Sequence, residues 1–247
     1  MKKTIFSSCV LILLLVFSCK KKETTTEEPP ATNSTTGTTT TTGGGAYSDM
    51  QTTYIVTDLL GTISRDSAIY ANFYSSPVTS SSLSLVNAGA VTLNSISIPT
   101  LGLKYGIIFN SPVNLLSSLN WSVTGSGTIT AFSHSFTPSY PKYSGGNLLP
   151  DTCSKLAGIT LTISGVTNNI GNVVIVQLFG GSANSVKYIL TSNGTISFTS
   201  QELASFPTNT NLSIQLGFAN FTYATYSGIK HGFSNNLQYI KYAYLKP

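Results

Sequence analysis

Beyond position 45 few residues could do acid, base or nucleophilic chemistry: the acids Asp49, Asp58, Asp66, Asp151 and Glu202, the histidines His134 and His231, and one thiol, Cys153. Paired carboxylates hydrolyse glycosides, one as acid and one as nucleophile or base. Asp58 and Asp66 could form such a pair if their strands are neighbours, but loop solvation is the plainer role for both. His134 stands among Ser133, Ser135 and Thr137, so a serine–histidine arrangement is conceivable, although a hydroxyl-rich strand creates that proximity unaided. Cys153 as a nucleophile would need a histidine base. No local signature surrounds His134 or His231, which favours a half-buried structural cysteine. Glu202, three residues after Thr199 and just ahead of Leu203, fits a helix-capping box, with Pro207 closing the turn. Zinc spacing, a calcium loop and a Gly-rich phosphate loop are missing from the sequence. No catalytic residue, metal site or cofactor is expected, and a glycoside hydrolase is the weaker alternative to a binding module.

The other two cysteines lie near the N-terminus. Lys2 and Lys3 precede an apolar stretch, Ile5 to Phe17, of 13 residues, where a bilayer-spanning helix needs about 20. That is the pattern of a secretory signal. Val16-Phe17-Ser18-Cys19 resembles the lipobox of bacterial lipoproteins, with Phe17 at a position that is usually small. The resemblance implies that residues 1–18 are removed and that Cys19 is acylated as the mature N-terminus. Each buried CH₂ of an acyl chain stabilises membrane insertion by about 0.8 kcal/mol, so the implied partner is a membrane, held through the lipid on Cys19. Lys20 in place of Asp is similar to outer-membrane lipoproteins of enterobacteria. The tract Lys20 to Glu23, with Glu27 and Glu28 behind it, resembles the charged run after the cysteine of Bacteroidetes lipoproteins. The implied localisation is the bacterial outer membrane, with its periplasmic and surface faces both open.

Cys9 leaves with the signal and Cys19 carries lipid, so Cys153 has no partner for an intramolecular disulfide. Residues 19–45 are expected to form a disordered tether: after the lysines they are mostly Thr, with Glu, Pro, Gly, Ser and Asn, and cannot offset ordering entropy by burial. As a flexible coil this stretch spans roughly 28 Å, enough to lift the folded part off the lipid headgroups. The formal charge of +5 is misleading, since Lys2, Lys3, Lys20, Lys21 and Lys22 supply five of the 13 basic residues. The remaining eight, from Arg65 to Lys246, are scattered singly, unlike the basic stripe of a nucleic-acid-binding surface, and no nucleic-acid partner is expected.

From residue 46 onward the pattern is nearly all strand. Ile159, Leu161 and Ile163 alternate with Thr160, Thr162 and Ser164, and Leu212, Ile214, Leu216 and Phe218 repeat the period, each predicting one buried and one wet face. Val173 to Leu178 is apolar almost throughout, as in an interior strand. Ser192-Asn193-Gly194 predicts a hairpin joining 185–190 to 195–199. Residues 69–74, 90–98, 105–109, 120–123 and 128–133 complete the set. Trp121, flanked by Leu119 and Val123 at strand spacing, belongs to the core. The expected fold is all-β, an antiparallel β-sandwich. Pro and Gly crowd between Thr137 and Asp151, which marks either a linker or a long crossover, and domain size favours two tandem Ig-like modules, 46–145 and 146–247.

The segments AGAVTLNSISIP from Ala88, LNWSVTGSGTITAFSHSF from Leu119, LLPDT from Leu148, GITLTISGV from Gly158 and NGTISFTSQELASFP from Asn193 resemble a layout of secreted Bacteroidetes lipoproteins without assigned activity. Asp66-Ser67-Ala68 is similar to the O-glycosylation pattern of that group. The remaining functional signal is aromatic. Tyr226, Tyr239, Tyr242 and Tyr244 lie in a dense C-terminal cluster and are the candidate ligand-binding residues, since exposed rings bind sugars or proteins at low entropic cost. The expected function is a non-catalytic, membrane-tethered binding or structural module, with a glycan or an envelope protein as possible partner.

Overall fold

A computed structural model describes residues 46–59, 61–78, 84–107, 111–170, 173–189 and 193–247. The expected signal peptide, Cys19 and the expected tether of residues 19–45 lie outside the described residues, as do Phe109, Leu190 and Ser192. The described chain is all-β. In order its strands are β1 (Ser48–Leu59), β2 (Thr62–Phe73), β3 (Val91–Leu93), β4 (Ile96–Ser97), β5 (Thr100–Leu101), β6 (Lys104–Ile107), β7 (Leu119–Val123), β8 (Phe132–Phe136) and β9 (Lys142–Tyr143). A short 3₁₀ turn at Gly146–Leu148 follows. Then come β10 (Thr152–Ser154), β11 (Ile159–Ile163), β12 (Val166–Thr167), β13 (Val174–Gly180), β14 (Ala183–Ile189), β15 (Gly194–Phe198), β16 (Thr210–Tyr226) and β17 (Ile229–Lys246).

One nine-stranded sheet organises the molecule, in the order β14-β13-β16-β17-β1-β2-β6-β5, with β10 also on β17. Its axis is the hairpin β16–β17, paired from Thr210↔Leu245 to Tyr226↔Ile229. Ser227 (φ 50°) and Gly228 (φ 78°) close it, and two successive positive φ values give the twist that a two-residue hairpin needs. On its other edge β17 takes β1 in parallel from Asp49↔Gly232 to Asp58↔Lys241, then β10 in parallel from Thr152↔Tyr244. Strands from before and after the Pro/Gly-rich break at 137–151 therefore share one sheet.

Alternation sends odd-numbered residues of β17 and even-numbered residues of β1 and β16 to one face. Two hydrophobic clusters sit on it. Met50, Ile69, Ala71, Phe73 and Phe233 pack with Leu93, Trp121 and Phe132 of the four-stranded sheet β4-β3-β7-β8. Val176, Leu178, Ile214, Leu216 and Leu237 pack with Ile159, Leu161, Ile163, Ile196 and Phe198 of the pair β11–β15. Apolar faces buried between layers make this a sandwich, and each fully buried Leu, Ile or Phe contributes roughly 1.5–3 kcal/mol. Trp121 is completely buried, as its strand spacing predicts.

Four local expectations need correction. Residues 90–98 are not one strand: Asn94 (φ 49°) and Ser95 (φ 65°) turn β3 back onto β4, with Leu93 opposite Ile96. The segments flanking Asn193-Gly194 do not pair with each other, because β14 joins β13 in the large sheet and β15 joins β11 in the small one. Residues 128–133 begin too early: Ile129 only bridges Ser126, and the strand is β8. The polar residues alternating along β16 are not wet, since Ser213 and Gln215 are buried and bonded to each other, and Gln215 also accepts from Gln238. The capping box is present, although the chain there makes a turn and no helix. The Glu202 N–H donates to Thr199 Oγ1 (3.2 Å) and the Thr199 N–H donates to Glu202 Oε2 (2.8 Å).

Candidate functional site

The four candidate tyrosines divide by strand parity. Tyr239 shares the core-side face of β17 with Leu237 and is buried, its ring against Tyr143 (centroids 5.0 Å) and its hydroxyl donating to Asp58 Oδ2 (3.3 Å). Burial and the Asp58 charge push its phenol up to about 12. Gly146 permits this approach, since a Cβ there would stand 2.0 Å from the Tyr239 hydroxyl. Tyr226, at the end of β16, is half-buried in an aromatic group described below. Tyr242 and Tyr244 have the opposite parity and share a face with Gln238. Tyr242 is half-buried and Tyr244 is 39% exposed, with its hydroxyl donating to Asn209 Oδ1 (3.4 Å). The face they share is built of neutral groups: Gln238 donates to Gln215 (2.9 Å) and Asn236 to Gln51 (3.3 Å). Gln177 Oε1, Ser234 Oγ and Asn236 Oδ1 on that face are buried without a hydrogen-bond partner. These polar side chains are buried, so what this face offers to solvent at its C-terminal end is the rings of Tyr242 and Tyr244.

Both histidines meet at the N-terminal end of β17. His231, fully buried, shares a hydrogen bond between its Nδ1 and Ser48 Oγ (3.0 Å) and lies on Phe132 (centroids 4.2 Å), while its Nε2 has no partner. His134, on β8, bonds the Tyr226 hydroxyl through Nδ1 (2.8 Å) and stacks on Phe233 (3.9 Å). Burial lowers the pKa of both, and His231, also facing His134, falls to about 4. Ser48–His231 has the composition of a nucleophile and base, but Ser48 is 1% exposed and the pair is closed to any substrate.

The other chemical groups are likewise engaged. Cys153 lies opposite Leu245, fourteen residues along β17 from His231, which is about 45 Å of strand at ~3.3 Å per residue. No cysteine–histidine pair can form across that length, and burial pushes the thiol up to about 11. Asp58 and Asp66 do lie on neighbouring strands, but Asp58 pairs near Lys241 while Asp66 stands opposite Ile55, so alternation turns them to opposite faces. Lys241 Nζ, almost fully buried, is 2.8 Å from Asp151 Oδ1 and 3.8 Å from Asp58 Oδ2, and donates to the Gly146 carbonyl (3.3 Å). Asp66 accepts from the Ser67 N–H (2.7 Å). The Lys187 ammonium and the Thr199 backbone hold the Glu202 carboxyl down at about 2. Among the described residues no group of three His, Cys, Asp or Glu is placed to hold a metal ion.

Sequence reasoning missed two features. Parity alone separates Tyr239 from Tyr242 and Tyr244, a signal present in the numbering of β17. The convergence of His134 and His231 has no local signal, since it depends on which strands become neighbours. Comparison with known proteins finds no matching family model, no similar curated protein and no similar solved structure.

Proposed function

We propose that this chain is a non-catalytic lipoprotein of the bacterial outer envelope, a membrane-tethered β-sandwich acting as a binding or structural module. The observation that carries this reading is the closed Ser48–His231 pair, the arrangement nearest to a catalytic one, whose serine and histidine are both sealed inside the sheet junction. Acids elsewhere support it in the same sense: Asp58 and Asp151 hold Lys241, and Glu202 holds a turn. The lipid anchor rests on Val16-Phe17-Ser18-Cys19. Cys19→Ala should shift the protein out of the detergent phase on Triton X-114 partitioning. Unchanged partitioning would remove the lipoprotein reading.

A glycan ligand is favoured by one specific arrangement, the 39% exposed ring of Tyr244 with half-buried Tyr242 two residues before it on the same face of β17. Aromatic rings bind sugars without charge, so affinity for a neutral oligosaccharide should change little between about 50 and 500 mM salt. Tyr244→Ala should weaken it by about 1–3 kcal/mol if that ring is an anchor.

A further inference from the structure

One end of the large sheet gathers exposed apolar and basic side chains from several strands. A single rung crosses it from Tyr223 to Gly232, Asp49 and Asn72, and the next rung pairs Ala71 with Tyr105, bringing Lys104 alongside. Five strands meet there over about 19 Å at ~4.8 Å per strand. Its solvent-facing groups set apolar and basic side chains among the hydroxyl residues Thr100, Thr222, Thr225 and Ser227: Leu101 (60% exposed) on β5, Leu103 in the β5–β6 turn, Phe221 and Tyr223 (57% exposed) on β16, with Lys230 Nζ 4.3 Å above the Tyr223 ring. Val78, also exposed, joins them through its N–H to the Ala46 carbonyl (2.9 Å). Among the described residues Asp49 is the one acid at this end, and burial lifts its carboxyl to about 6. Asp66 lies about 20 Å and Asp58 about 30 Å further along β1 at ~3.3 Å per residue.

We propose that this end of the sheet docks on the lipid bilayer, with Leu101, Leu103, Phe221 and Tyr223 in the headgroup layer and Lys104 and Lys230 against lipid phosphates. The occupant is indicated by where the chain enters: the Tyr47 N–H bonds the Lys230 carbonyl (2.8 Å), so residue 46, the attachment point of the stretch running back to Cys19, lies at this same end. A flexible tether of roughly 28 Å, the span expected from the composition of residues 19–45, would keep that end at high effective concentration over the membrane, where a weak contact suffices. Tyr, Phe and Leu with flanking lysines are the composition that settles at a membrane interface. The inference rests on the lipid anchor at Cys19.

Trp121 is the chain's only tryptophan and is wholly buried, so an added one reports its own surroundings. The full acylated chain would be placed in phosphatidylethanolamine–phosphatidylglycerol vesicles with and without brominated phosphatidylcholine. The added emission of Tyr223→Trp should fall about twofold with the brominated lipid, as expected for a ring at headgroup depth. Wild-type Trp121 should stay unquenched, and so should Leu59→Trp, at the exposed β1–β2 turn of the opposite end. Quenching at neither added tryptophan, or equally at both, overturns the docking while vesicle flotation that requires Cys19 leaves the anchor standing. Wild-type protein that fails to float with the vesicles overturns the anchor and the docking with it.

Discussion

The two ends of β17 bury polar groups in opposite ways. At one end His231 and His134 are neutral rings among Phe132, Phe233 and Tyr226, bonded to hydroxyls. Ten residues along, Lys241 brings a full positive charge into the sheet and meets two carboxylates there. A buried charge that keeps its partners is tolerable, and one that loses them costs several kcal/mol. A buried neutral imidazole needs no counter-ion, but any added proton must be carried without one. The same strand is therefore vulnerable to mutation at one end and to acid at the other.

The largest effect should come from breaking the ionic end. Lys241→Ala leaves Asp58 buried without its cation and should lower unfolding free energy by about 3–5 kcal/mol in urea. Lys241→Met combined with Asp58→Leu removes both charges and should recover most of that loss. Failure of the double variant to recover would show that packing around Tyr239, and not charge, sets the cost.

Acid should single out the other end. His231 binds a proton near 6.5 when unfolded and at about 4 when folded, so its stabilisation is whole above pH 6.5 and is lost as pH falls toward 4. That amounts to roughly 3 kcal/mol, and the lowered His134 adds to it in the same direction. Asp49 opposes them. Its carboxyl titrates near 3.8 unfolded and at about 6 folded, so its contribution is whole below 3.8 and is lost as pH rises through 6. Between pH 6 and 4 the unfolded chain holds the His231 proton and the folded chain holds the Asp49 proton, so these two contributions nearly cancel. Asp49→Asn should expose the histidine slope, about 1.4 kcal/mol per pH unit across that window. A variant as flat as the parent would contradict the pairing of these two groups.

The smallest effect sharpens the ionic end. Asp151 touches Lys241 more closely than Asp58 does, yet its side chain is 74% exposed. Asp151→Asn should cost under about 1 kcal/mol, since water replaces an exposed carboxylate readily. A cost approaching that of Lys241→Ala would make Asp151, and not Asp58, the essential counter-ion.

Much of the fold was legible in the spacing of residues, and the rest was not for identifiable reasons. Period two in Ile159–Ile163 and Leu212–Phe218 marks strands and their inward sides, and the Thr199–Glu202 pair marks a turn whose bonds are present. Alternation says which side chains share a face but not which strand lies alongside. The parallel pairing of β1 with β17, which brings Ser48 to His231 across the length of the chain, is therefore invisible to it. Asn94-Ser95 concealed a hairpin because Ser seldom takes positive φ, although the three-residue spacing of Leu93 and Ile96 breaks the alternation there. The wet face predicted for β16 failed for a related reason: Gln215 and Ser213 are polar yet satisfied by each other and by Gln238. Of the candidate tyrosines, Tyr239 falls on the core side by strand parity, but its contacts with the Asp58 carboxylate and Gly146 could not be read, since neither is near it in sequence.

The central claim about the histidine end is that the Ser48–His231 pair is sealed from solvent. Following the imidazole signals of His134 and His231 by NMR through a pH titration tests it most directly. With two histidines in the chain the spectrum assigns readily, for instance with His134→Gln as the reference. His231 should remain neutral down to about pH 4, and His134 should titrate below the ordinary 6.5. A His231 signal that titrates freely near 6.5 in the folded protein would contradict the account, because the Ser48–His231 pair would then be open to solvent and available for chemistry.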